Sequence, residues 1–131
     1  MSAPAGYRAG SVSEELVTAL DLAATTIAIG GAPKPPKMQG RVLFGPQREP
    51  EPRYVFGARD RCDETVDRIR TVRSRQYRYI RNFYPERPFL QLNRYKETNY
   101  PTIWVLRQLG AEGRLTPEQK RLTEPTRPKE E

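Results

Sequence analysis

The chain has 131 residues, 36% hydrophobic and 30% charged, with 13 prolines and a formal net charge of +7. That length supports one domain with a modest core, and so many prolines leave part of it extended or irregular. There is no histidine and a single cysteine, Cys62, which excludes histidine general bases, histidine-ligated metals, an internal disulfide and a multi-cysteine zinc site.

The charge is local. Residues Arg53 to Lys96 hold 12 basic and 5 acidic side chains, whereas the remainder holds 11 of each. A surplus confined to one segment implies a surface that meets anions: phosphate, sulfate, carboxylate or an acidic neighbouring domain. The opening "MSAPAGYRAG" lacks the apolar run of a signal peptide. No apolar stretch approaches the ~20 residues that span a bilayer. The expectation is a soluble chain without an export signal, its compartment open.

In chain order, the first element is "TALDLAATTIAIGG". Thr18 and Asp21 have capping-box spacing, and Leu20, Ala23, Ala24, Ile27 and Ala28 recur at helical spacing. Gly30 and Gly31 supply a left-handed stop, so the pattern predicts a helix over Ala19–Ile29. It is apolar over much of its surface and expects partners on more than one side. "GAPKPPKMQGR" reads as a proline-rich connector, "RVLFG" (Arg41–Gly45) as a small strand, and "PQREPEPR" as a second connector.

"RYVFGAR" (Arg53–Arg59) opens a strand. "DRIRTVRS" and "RQYRYIRN" then read as a hairpin, Asp67–Arg73 and Gln76–Asn82, rich in β-branched and aromatic residues, with Ser74-Arg75 at the tip. Arginines alternate with those residues at the period of a strand. "PERPFLQLNRYKETNYP" reads as irregular. "TIWVLRQLGAEG" predicts a helix over Thr102–Ala111 with Ile103, Leu106, Trp104 and Leu109 on its apolar face. "TPEQKRLT" predicts a short helix capped by Thr116 with Pro117 at its first position. "EPTRPKEE" reads as a charged tail.

Two stretches and one cysteine invite a chemical reading. "RIRTVRSRQYRYIRNFYPERP" has seven arginines and four aromatics between Arg68 and Pro88. Such a strip suits single-stranded nucleic acid, but it matches no RNA-binding sheet signature. The alternation favours a solvated or interdomain face whose arginine stems cover apolar surface. "GARDRCDETVDR" concentrates Arg59, Asp60, Arg61, Asp63, Glu64 and Asp67. It suits a polar ligand held by paired charges, or a self-neutralising loop, and it lacks the spacing of a calcium-binding EF-hand. Cys62 has no histidine to activate it and reads as an incidental thiol. No phosphate-binding glycine loop and no serine-nucleophile elbow appear.

Taken together, "SVSEELVTALDLAATTIAIGGAPKPPKMQG", "YVFGARDRCDETVDRIRTVRSRQYRYIRNFYPERP" and "LTPEQKRLTEPTRPKEE" resemble the C-terminal portion of the sulfatases, the formylglycine-dependent sulfuric ester hydrolases. The branch they resemble is that of bacterial enzymes akin to heparan N-sulfatases. The likeness runs from about Pro4 to Glu131 and rests on the order and spacing of the stretches. Ala24 stands where the family usually has proline. The resemblance implies calcium and a formylglycine residue in the parent enzyme. It implies no catalytic residue, metal ligand or cofactor in this chain. Cys62 lies in Arg61-Cys62-Asp63-Glu64-Thr65, which is not the Cys/Ser-x-Pro-x-Arg motif of the formylglycine.

The resulting expectation is an α+β fold resembling the C-terminal subdomain of the alkaline-phosphatase-like sulfatase fold. Residues 1–52 form the edge of a missing core, and 53–131 form a small antiparallel sheet with the Thr102–Ala111 helix packed on it. The resemblance implies partners in a sulfatase catalytic core or split-gene partner and a sulfated carbohydrate, with nucleic acid disfavoured and no membrane. Arg59, Asp60, Arg61, Asp63 and Glu64 are the candidate substrate contacts of an intact enzyme, because a guanidinium fork fits the oxygens of sulfate or carboxylate. The chain alone is expected to be inactive, and marginally stable or self-associating because one helix face lacks cover. The rival is a stand-alone anion-binding module on the same scaffold.

Overall fold

A computed structural model describes residues 10–131, so the export-signal reading falls, except for Gly10, outside the described residues. The chain divides into two compact units. One holds the described residues up to Val55 together with Arg73–Tyr77, and the other holds Phe56–Val72 and Arg78–Glu131.

In the first unit, helix α1 spans Ala19–Ile29, with the bounds its sequence predicts. Asp21 Oδ2 accepts from the Thr18 N–H at 2.9 Å, which satisfies one of the donors a helix start leaves free. Leu16, Ala24, Val42 and Leu43 are buried here.

The "RVLFG" stretch is not a strand. Its backbone amides pair with side chains instead of a neighbouring strand. Arg41 N–H donates to Asp21 Oδ1 at 2.9 Å, Val42 N–H to Glu49 Oε2 at 2.8 Å, and Leu43 N–H to Thr25 Oγ1 at 3.0 Å. Buried amides must find acceptors, and one turn of α1 supplies two of them from Asp21 and Thr25, four residues apart on one face. Gly40 permits the approach: a Cβ there would lie 2.1 Å from the Leu20 carbonyl oxygen. Arg41, itself buried, donates to the Leu16 carbonyl at 2.8 Å and to Glu15 at 3.1 Å. Among the described residues one side of α1 is left uncovered; Leu20, Leu22 and Ile29 are more than half exposed.

The sheet has three strands in the order β1-β2-β3: β1 Val55–Cys62, β2 Thr65–Arg73 and β3 Arg78–Asn82. The β1–β2 connection is tighter than the sequence suggests. Both strands run further, and the turn between them is Asp63-Glu64, with Asp63 in the left-handed region at φ 52°, which aspartate tolerates better than most residues. The β2–β3 turn lacks Asn-Gly chemistry, and Ser74 compensates. Its N–H donates to the Tyr77 carbonyl at 2.8 Å, and its Oγ accepts from the Tyr77 N–H at 3.0 Å.

The charged tail is not free. Ile80 and Glu131 exchange two backbone hydrogen bonds at 2.8 and 2.9 Å, and Asn82 N–H donates to the Lys129 carbonyl at 2.9 Å. The last residues thus protect the β3 edge. Net charge and prolines hid this, because pairing lies in alternate backbone groups that any residue other than proline can offer.

Three helices follow: α2 Arg94–Asn99, α3 Pro101–Ala111 and α4 Pro117–Thr123. Helix α2 lies in the stretch expected to be irregular. It has no apolar stripe to betray it, but Asn93 Oδ1 accepts from the Lys96 N–H at 2.8 Å and starts it. Thr116 and Gln119 form the capping box of α4. Helix α3 packs against α2 and α4 rather than directly on the sheet. The segment leading into α2 meets β2 instead: Thr65 Oγ1 donates to the Leu92 carbonyl at 2.7 Å, and Gln91 bonds Asp67, as described below. Ile103 is the buried apolar residue of α3.

Candidate functional site

The five candidate contacts occupy the end of β1 and the turn after it, and they do not converge. Strand alternation sends Asp60 to one face of β1 and Arg59 and Arg61 to the other. Asp60 takes a two-pronged bond from Arg70 at 2.8 and 3.1 Å, and this guanidinium holds its carboxyl below the usual range. Asp63 Oδ2 accepts from Asn93 Nδ2 at 2.8 Å, and Glu64 Oε1 accepts from the Arg94 N–H at 2.6 Å. The turn acids thus hold the start of α2. Glu64 is held below its ordinary value by that Arg94 N–H first and by its own backbone N–H second. Arg61 is exposed. Arg59 is half-buried, with Nε and Nη2 covered and without an acceptor among the described residues.

The arginine-aromatic strip answers its own charge. Arg68 and Arg81 lie over the Phe83 ring at 4.8 and 5.3 Å, and Arg87 lies over Tyr84 at 4.8 Å. These rings are occupied by cations of the same chain.

Beneath the sheet lies a charge cluster that the sequence reading missed. Asp67 is 2% exposed and Arg127 6%. Arg127 Nη2 donates to Asp67 Oδ1 at 2.5 Å, the Arg68 N–H to the same oxygen at 2.7 Å, and Gln91 Nε2 to Oδ2 at 2.6 Å. Burial pushes the Asp67 carboxyl up, but Arg127, the Arg68 amide and Gln91 together hold it below its ordinary value. Sixty residues separate the partners in sequence, so spacing gives no sign of them.

Two of the pockets among the described residues lie in this unit. One, of about 590 Å³, is bordered by Cys62, Asp63, Asn93, Lys96 and the edge-to-face pair Tyr95 and Tyr100. Asp63 alone among the five candidates reaches it. The other, of about 420 Å³, lies among Thr65, Arg87, Gln91 and α3. Among the described residues no group of three or more acidic, cysteine or histidine side chains could hold a metal ion. Nor, among them, is any helix long and apolar enough to cross a membrane.

No family model matches the chain. Among known proteins, an ulvan-active sulfatase from Formosa agariphila is 34% identical to it over 128 residues, a match covering 98% of this chain. The chain is similar to a piece of a sulfatase. It spans 21% of that enzyme's length. The sulfatase resemblance carried by "DLAATT", "GARDRCDE" and the arginine hairpin is supported at that level, and an α+β subdomain with a small antiparallel sheet is compatible with it.

Proposed function

We propose that this chain is the C-terminal segment of a sulfatase, which serves sulfate-ester or sulfamate hydrolysis on a sulfated carbohydrate only together with a catalytic core. The observation that carries the reading is the coverage: nearly the whole chain matches, against about a fifth of the relative. Composition supports it, because the chain has no histidine, and its one cysteine is outside a formylglycine motif. The calcium and formylglycine of the resembled family belong to that core. The uncovered side of α1, with Leu20, Leu22 and Ile29, supplies an apolar surface for the core to bury. The finer kinship, to enzymes akin to heparan N-sulfatases, rests on the order of the sequence stretches.

In this reading the β1–β2 turn stands at the mouth of the assembled active site, where the exposed Arg61 faces the substrate's anionic groups, while Arg59 has Nε and Nη2 covered. Asp60, Asp63 and Glu64 are committed to Arg70, Asn93 and the Arg94 amide, so their contribution is to hold the turn in shape.

The test is reassembly. The Formosa agariphila enzyme is expressed without the stretch this chain matches, and sulfate release from ulvan is measured with and without this chain added. The chain alone releases no sulfate, the shortened enzyme little, and the mixture recovers activity. No recovery, with the intact enzyme active beside it, overturns the reading. The rival, a stand-alone anion-binding module, draws on the same local cation surplus. It expects salt-sensitive binding to a sulfated glycan and no effect in the mixture.

A further inference from the structure

The pocket of about 420 Å³ among Thr65, Arg87, Gln91, Ile103, Arg107 and Thr123 combines three features that the rest of the molecule does not explain. The first is two guanidinium groups without a carboxylate partner among the described residues. Arg70, Arg81, Arg114 and Arg127 of this unit each pair with an acid; Arg87 and Arg107, like Arg59, Arg61, Arg68, Arg78, Arg94 and Arg121, do not, and they are set apart by bordering one pocket together. The second is that both are held in place. Arg87 lies 4.8 Å over the Tyr84 ring and donates through Nη1 to the Val66 carbonyl, which leaves its other nitrogens available. Arg107 lies 5.0 Å over Trp104, and that ring is itself anchored by its Nε1 donating to the Glu97 carbonyl at 2.9 Å. Guanidinium groups already oriented lose less freedom when an anion arrives.

The third feature is Gln91. It is 5% exposed, and its amide orientation follows from Asp67, which can only accept and so takes the Nε2 donor. Its Oε1 is then a buried acceptor with no donor among the described residues. Such groups are rare and costly, and each calls for an occupant or a water.

We propose that this pocket binds one sugar residue carrying a sulfate ester, with the sulfate between Arg87 and Arg107 and a ring hydroxyl supplying, directly or through one water, the donor that Gln91 Oε1 lacks. The assignment of sulfate ester rests on the sulfatase reading; the pocket's demand for an anion joined to a hydroxyl does not. The guanidinium fork matches paired sulfate oxygens, and Thr65 and Thr123 add hydroxyl oxygens as acceptors for the ring. The apolar side chain of Ile103 gives the ring a face to cover. None of the residues Arg59 to Glu64 borders this pocket.

The experiment is a titration of the full chain, labelled with ¹⁵N, with galactose 6-sulfate as probe. Galactose, inorganic sulfate and a single-stranded oligonucleotide run as parallel arms. The sulfated sugar should give saturable shifts at Thr65, Ile103 and the Gln91 side-chain amide, and neither galactose nor sulfate alone should match its affinity. Arg107→Gln, on an exposed helix position, should weaken binding by about tenfold, as expected for loss of one charge-assisted contact. Arg87→Gln should do the same, and Arg78→Gln, exposed on β3 and outside the pocket, should change nothing. Gln91→Met should weaken the sulfated sugar while leaving inorganic sulfate unaffected. If that variant fails to fold, the two arginine variants decide.

Absence of saturable shifts overturns the proposal. So does equal weakening by Arg78→Gln, an affinity for inorganic sulfate equal to that for the sulfated sugar, or displacement of the sugar by the oligonucleotide at equal charge. These readouts are independent of sulfate release in the reassembly mixture. A chain that restores activity but ignores the sugar refutes the pocket alone, and a chain that binds the sugar but restores nothing refutes the segment reading alone.

Discussion

The segment gripped by α1 and the arginine-rich sheet solve the same problem by opposite means. Around α1, backbone amides that would ordinarily form a strand ladder are taken by side chains: Asp21 and Thr25 from the helix and Glu49 from the following loop. In the sheet, backbone groups pair with one another, and the polar side chains pair among themselves, as Asp67 does with Arg127 and Gln91. The first arrangement depends on single atoms at single positions. The second spreads backbone pairing over three strands and concentrates its polar risk in one buried cluster. A perturbation should therefore be severe at that cluster, graded within the helix grip and slight on the outer sheet face.

The largest effect is expected at Asp67. Replacing it with alanine leaves Arg127 buried and unpaired, and breaking a buried pair in this way costs about 3–5 kcal/mol. Urea denaturation of Asp67→Ala followed by circular dichroism measures it. The double variant Asp67→Leu with Arg127→Met should recover most of the loss, because no charge is then buried. If both unfold alike, the cluster is not the sheet's critical point.

Next is Gly40→Ala. The new Cβ would meet the Leu20 carbonyl at 2.1 Å, and the neighbour is backbone that cannot swing aside, so about 3 kcal/mol is expected, the upper end for overpacking. Thr25→Val should cost less, about 1–2 kcal/mol, because it keeps the shape and orphans one amide. Hydrogen exchange sharpens that test: the Leu43 amide should lose protection in Thr25→Val before the amides within β2 do.

These two regions also differ in how far the sequence revealed them. Helix α1 was readable to its bounds because its cap, stripe and glycine stop agree. The three strands were readable in kind, because β-branched and aromatic residues alternate with arginines. The β1–β2 turn was placed too loosely, since a run of charges looks the same in a loop and on a strand's solvent face. "RVLFG" misled because an apolar run bounded by turns is the signal of a strand, and nothing in it announces that Asp21 and Thr25 will take its amides. Helix α2 was hidden by its length of six residues, too short to show periodicity. Among the candidate contacts the charges were found but not their pairing. The partners of Asp60, Asp63 and Glu64 lie ten to thirty residues away, and only the fold brings them together.

Acid should weaken both regions, for related reasons. Arg75, and after it the Leu16 N–H, holds the Glu51 carboxyl down to about 2 from 4.5. Lys34, and after it the Val42 N–H, lowers Glu49, and Asp67 is lowered as described. A carboxyl whose folded value is depressed contributes stability that is present above its unfolded value and lost as pH falls through the folded one. Tm should thus be level above about pH 5 and fall steadily from there towards pH 2. Glu51→Gln should lower Tm at pH 7 and flatten that fall, so that variant and parent converge near pH 2. Parallel curves would show that Glu51 is not among the groups responsible.

The smallest effect separates burial from pairing. Asp60–Arg70 has the chemistry of Asp67–Arg127, with its acid in the same sheet and a comparable N···O distance, but its side chains are 64% and 41% exposed. Water solvates both charges before and after the pair breaks, and salt screens what attraction remains. Asp60→Asn should therefore shift Tm by no more than about 2 °C, and 0.5 M salt should erase the difference. A shift as large as that of Asp67→Ala would mean that acid–arginine pairing stabilises the sheet wherever it occurs, and the contrast between its outer face and its buried cluster would fail.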